Sequence, residues 1–110
     1  MSQPDLGALL EKAREAQSKL QELQRELALR RVEGSAGGGM VTAVATGALR
    51  ILEIRIEPGL LTSGDQSMIQ DLTAAAVNAA LANAQRMIQE EMQRASAGLQ
   101  LPVLGSDPSR

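Results

Sequence analysis

Along the first third of the chain, apolar residues fall at Leu6, Leu9, Ala13, Ala16, Leu20, Leu23 and Leu27, separated by alternating steps of 3 and 4. That spacing puts one residue per turn on the same side of an α-helix and predicts a helix that packs along its length. Ser2 with Asp5 resembles a capping box and Pro4 suits a first turn. Glu15 with Lys19 and Glu26 with Arg30 have the spacing and orientation of supporting ion pairs. At 1.5 Å per residue the helix is about 37 Å long. One small domain cannot cover it all, so part of the seam pairs with another helix or projects.

From Leu52 to Glu57 the period drops to 2, which predicts a strand with Leu52, Ile54 and Ile56 turned inward. Met40 to Thr46 reads as a preceding strand, joined to it by a turn at Thr46-Gly47-Ala48. Arg30 to Gly34 reads as the first strand, so that Ser35-Ala36-Gly37-Gly38-Gly39 becomes a hairpin loop. Pro58-Gly59 ends the sheet, and Ser63-Gly64-Asp65 offers caps for a second helix running to about Ala97. Its apolar positions form two adjacent stripes, Ile69, Leu72, Ala76, Ala80 and Val77, Leu81, Ala84, Ile88, Met92, Ala95. The alanines between Ala74 and Ala84 allow another backbone to approach closely. Gly98 fits a residue just past the helix end and Pro102 a stop, leaving 1–102 as one domain and 103–110 as a flexible tail.

The glycine loop raises the question of a phosphate site. Gly34 and Gly39 have the separation found in nucleotide-hydrolase phosphate loops, but Met40 and Val41 stand where Lys and a hydroxyl residue are needed. A dinucleotide fingerprint fails too, because Thr42 occupies its third glycine position. The loop is therefore expected to be structural, with Gly37, Gly38, Gly39 and, in the next turn, Gly47 serving backbone geometry rather than a ligand.

Composition narrows the function further. The chain of 110 residues has no Cys, His, Trp, Tyr or Phe and a net charge of −2. Without His or Cys the common acid–base, nucleophilic and transition-metal constellations cannot be assembled, so neither an enzyme nor a cofactor nor a small-molecule substrate is expected. Without aromatic rings, stacking on single-stranded nucleic acid is unavailable. Contact with the phosphates of duplex DNA needs only cations and amides, and stays open. The candidates are Lys12, Lys19, Arg25, Arg30 and Arg31. No apolar run is long enough to cross a membrane and no secretory leader is evident, which makes the cytoplasm the default. Two long helices around a three-stranded sheet leave apolar seams that one chain cannot bury, and a symmetric homodimer is the simplest closure.

Taken in order, these residues resemble the YbaB/EbfC family of bacterial nucleoid-associated proteins. The resemblance rests on Gly34 with Ala36 to Val41, on Gly47, and on Ile56-Glu57-Pro58 with Leu60-Leu61. Asp71-Leu72 with Ala75 to Ala80, and Gly98-Leu99 with Leu101-Pro102, complete it. It implies an α+β subunit of order α-β-β-β-α, a tweezer-shaped homodimer, and loose binding of double-stranded DNA in the nucleoid. Thr42 and Ala43 stand where the family often carries Lys, and Ala79 where it often carries an acid. A dimeric protein-interaction scaffold with little DNA binding is the alternative reading.

Overall fold

The structure, a computed structural model, describes residues 5–99. The element order is α1 (Leu6–Leu29), β1 (Arg31–Ala36), β2 (Val41–Thr46), β3 (Ile51–Ile56), α2 (Pro58–Ser63) and α3 (Gln66–Leu99). The strands form one antiparallel sheet in the order β1-β2-β3. This is the α-β-β-β-α arrangement expected, with a short α2 inserted before the last helix. Pro58, at the head of α2, brings a preset φ suited to a first turn, and Gly64 ends the helix at φ 74. Pro58 and Gly59 follow the last strand, as expected, and they also open α2.

Asp5 caps α1, its carboxylate accepting from the amides of Gly7 at 3.0 Å and Ala8 at 3.3 Å. The cap is thus Asp5 itself, and Ser2 and Pro4 lie outside the described residues, as do Pro102 and the 103–110 tail. Asp65 opens α3 in the same way by accepting from the Met68 amide. At the other end α3 continues through Gly98 to Leu99, so Gly98 belongs to the last turn rather than following it.

The core lies between one face of the sheet and α3. Val41, Ala43 and Ala45 of β2 meet Ala76, Ala80 and Ala84 of α3, all fully buried, with Leu60 of α2 at the margin. Both predicted helix stripes contribute, with Ile69, Leu72, Val77 and Leu81 packed around this centre. Close approach is what the small residues provide: a Cβ on Gly34 would fall on the backbone of Ala79 and Ala80. Asn83 locks the same crossing by donating from Nδ2 to the Glu33 carbonyl at 2.9 Å.

One expectation fails in β3. Ala45 pairs with Ile51 while Val44 pairs with Glu53, so Leu52 is an extra residue in the strand, a β-bulge. The period of 2 breaks there, and Ile51 rather than Leu52 packs against the core. Ile54 is opposite Ala43 and on its side of the sheet, but α3 covers mainly β1 and β2. Leu52 and Ile54 are consequently 52% and 42% exposed, and of the three predicted inward residues only Ile56 is packed inside.

In the first hairpin, β1 runs two residues farther than expected, and the turn is Gly37-Gly38-Gly39-Met40. Gly37, Gly38 and Gly39 have φ of 65, 67 and 97, values an L side chain rarely adopts. Gly47 has a different role. Positive φ in its turn falls on Leu49, at 61, whereas a Cβ on Gly47 would collide with the Leu27 carbonyl at the end of α1. Gly47 is the point where α1 is pressed against the sheet.

Gly39→Val is expected to lower stability by about 1 kcal/mol or more through strain at positive φ. Gly34→Ala is expected to cost about 2 kcal/mol or more, because the added methyl meets backbone that cannot rotate away. Urea titration of each variant checks both values, and a Gly34→Ala variant as stable as the parent would refute the contact.

Candidate nucleic-acid interface

The candidate cations divide into two sets once their surroundings are known. Lys12, Lys19 and Arg25 lie on exposed positions of α1 and take part in none of the ion pairs among the described residues. Lys12 and Lys19 are seven residues apart, two helical turns or about 10.5 Å along one flank of the apolar seam. The expected partner of Lys19, Glu15, is not engaged with it, and Glu26 is not engaged with Arg30.

Arg30 and Arg31 are both held by carboxylates. Arg30 caps the C-terminal end of α1 and reaches Glu91 of α3 at 3.1 Å, a carboxylate that also accepts from Arg94 at 2.8 Å. Arg31 reaches Glu53 at 3.1 Å, and Glu53 bonds Arg55 at 2.7 Å, which in turn bonds Glu33 at 3.2 Å. The register explains the second group: Glu33, Val44 and Glu53 are direct cross-strand neighbours, and Arg31 and Arg55 stand one step along on the same face. Two arginines and two glutamates thus neutralise one another over Val44, which is 1% exposed. The Arg55 hydrogen bond and charge, with a smaller contribution from Arg31, hold the Glu53 carboxyl below its ordinary value, and Glu53 and Glu33 hold Arg55 above its own. Sequence spacing alone did not disclose this lattice, because its members come from β1 and β3 and meet only through the register.

The glycine loop is shaped by its backbone geometry. Its positive φ values close the β1–β2 turn, the Met40 amide donates to the Gly37 carbonyl at 3.3 Å, and Gly37 rests against the Leu72 side chain. Among the described residues no cluster of three or more acidic side chains is placed to hold a metal ion. No helix among them is long and apolar enough to cross a membrane.

Residues 2–99 match the model of the YbaB/EbfC DNA-binding family. The chain belongs to that family. It is 39% identical over 100 residues to a nucleoid-associated protein of Thermoanaerobacter pseudethanolicus, covering 91% of this chain and 90% of the relative. To a nucleoid-associated protein of Xanthomonas campestris pv. campestris it is 44% identical over 98 residues, covering 89% and 91%. An uncharacterized protein of Helicobacter pylori has the same fold, with a TM-score of 0.65 at 17% identity over 84% of this chain and 97% of that one. The matched family is described as DNA-binding. The α-β-β-β-α order read from the periodicity is therefore that of a YbaB/EbfC family chain.

The lattice has a consequence in acid. A carboxylate whose folded value is lowered contributes stability above its unfolded value and loses it as pH falls through the folded one. The ordinary value for Glu53 is 4.5. Parent protein is therefore expected to melt at a higher temperature than Glu53→Gln near neutrality, with the difference closing as pH falls below 4.5. Thermal melts at a series of pH values check this, and a difference unchanged in acid would show that Glu53 is not the titrating partner.

Proposed function

We propose that this family member binds duplex DNA by backbone contacts, with little preference for base sequence, and does so in the cytoplasmic nucleoid as a non-catalytic homodimer. The observation that carries this reading is the separation of the cations: those on α1 are exposed and outside the ion pairs, while those at the sheet are neutralised by Glu53, Glu33 and Glu91. DNA phosphates compete poorly for a guanidinium already paired with a carboxylate, as Arg30 and Arg31 are, so Lys12, Lys19 and Arg25 are the primary contacts. Arg30 and Arg31 follow only where a phosphate displaces their carboxylates. No ring is available to stack on a base, and phosphate contacts position a protein without reading sequence.

Dimerisation follows from uncovered apolar surface around β3. Leu52 and Ile54 on that edge strand, Leu61 in α2 and Met68 in the first turn of α3 are each 42–54% exposed, with no cover among the described residues. A second copy of the same face closes the patch with twofold symmetry. The dimer carries −4, twice the −2 of the chain, so attraction to DNA is local to the helical arms.

Titration of duplex DNA across salt concentrations is expected to give a line of log affinity against log salt falling by about 0.9 for each phosphate neutralised. Replacing Lys12, Lys19 and Arg25 by Ala is expected to flatten that line more than replacing Arg30 and Arg31, and to weaken duplexes of different sequence alike. If the parent shows no salt-dependent binding to any duplex, a protein-interaction scaffold replaces this reading. For the dimer, light scattering is expected to give twice the 11.6 kDa chain mass, and Ile54→Asp to shift it toward the single-chain value. A folded parent monomer at micromolar concentration would refute the assembly.

A further inference from the structure

Helix α1 is fastened at its root. Arg30 reaches Glu91 of α3, and Leu27 with Gln24 shares a cavity of about 190 Å³ with Ile88 and Met92, so α1 leaves the sheet beside the C-terminal turns of α3. The helix has 24 residues and reaches Leu6 after about 36 Å. Leu27 is buried and Leu23, Leu20 and Ala16 are half-buried, whereas Leu10, Leu9 and Leu6 are 60%, 53% and 70% exposed. The outer turns carry an apolar seam without cover among the described residues.

Charge on α1 is interleaved in sequence but sorted around the helix axis. At about 100° per residue, Lys12 and Lys19 fall about 110–130° to one side of the centre of Leu6, Leu9, Leu10 and Ala13. Arg14 and Arg25 fall about 90–110° to the other side, while Glu11, Glu15, Glu22 and Glu26 all fall within about 30° of the opposite face. All eight are exposed and stand outside the ion pairs among the described residues. Asp5, the acid at the tip, is occupied in capping the helix. The seam is edged by positive charge on both sides, and its acids lie across a helix about 10 Å thick.

Whatever covers this seam must be apolar at its centre and anionic at both edges. A second copy of α1, laid parallel or antiparallel, brings cationic edge to cationic edge. Duplex DNA meets the cations but sets the leucines against a charged backbone. A bilayer surface with anionic headgroups meets both demands: acyl chains take Leu6, Leu9 and Leu10, and the Lys and Arg stems lie along the interface with their charges at the phosphates. The acids stay in water about one Debye length from the headgroups, where their repulsion is screened. We propose that the outer half of α1 lies in the plane of an anionic membrane surface as an interfacial helix. This goes beyond the DNA reading, although Lys12 and Lys19 take part in both.

Flotation of the full chain with vesicles tests it. Binding to equal parts phosphatidylglycerol and phosphatidylcholine is expected to be at least tenfold tighter than to phosphatidylcholine alone. Leu9→Ser with Leu10→Ser is expected to weaken it tenfold or more. The same variant should keep the parent's urea midpoint, its mass by light scattering and its salt dependence of duplex binding, since both leucines are exposed and no cation is changed. Full vesicle binding by the variant would reduce the attraction to charge alone, and a fall in its mass would assign the seam to a second copy; either overturns the proposal. So does a parent that binds both vesicles equally or neither. A parent that ignores duplex DNA yet floats with the anionic vesicles would remove the DNA reading and leave this one standing. The chain has no Cys, so a single label reports orientation. An environment-sensitive dye on Leu10→Cys is expected to shift to the blue on anionic vesicles, and the same dye on Glu15→Cys to keep its aqueous emission. Equal shifts at the two positions would also overturn the proposal.

Discussion

The contact between Gly34 and Ala80 constrains everything else in this molecule. Because neither residue keeps the backbones apart, α3 lies directly on β1 and β2 and buries Val41, Ala43 and Ala45 beneath Ala76, Ala80 and Ala84. A helix so close must cross the sheet along one line. That line leaves β3 uncovered, places Glu91 beside Arg30, and directs the last turns of α3 along α1. Edge exposure, the ion pair at the base of the arm and the direction of the arm follow from a single close approach.

The charged residues are arranged by the same geometry. Strand register brings Arg31, Arg55, Glu33 and Glu53 onto the sheet face that α3 does not cover, where they satisfy one another. Each exposed pair contributes little to stability, on the order of 0–1 kcal/mol in general. Their larger effect is on where positive charge is available. The sheet has no surplus on that face, whereas the cations of α1 stand outside the ion pairs among the described residues, interleaved with as many acids along the helix.

Much of the fold could be read from periodicity. A 3–4 repeat, a period of 2 and a broad alanine-rich face correspond to α1, β3 and α3, and the glycine loop to the first hairpin. What escaped was set by a second element. The bulge at Leu52 depends on how β3 pairs with β2, and the exposure of Ile54 depends on where α3 crosses. For Gly47 the turn was recognised but not the reason for glycine, which is the Leu27 carbonyl of a helix distant in sequence. Among the candidate cations, sequence named all five yet could not separate them, since Glu53 and Glu91 lie 22 and 61 residues from the arginines they hold.

Helix α1 is fastened at one end, where Leu27 meets Gly47 and Arg30 meets Glu91. Mechanically it is a cantilever of about 36 Å. A tilt of roughly 10° at the root carries the tip about 6 Å sideways, comparable to the spacing of adjacent phosphates along a DNA strand, while the fully buried alanines of the core stay in place. A small angular change at the root is thus amplified along the rod, so that the few contacts at Leu27 and Arg30 set the position of the tip.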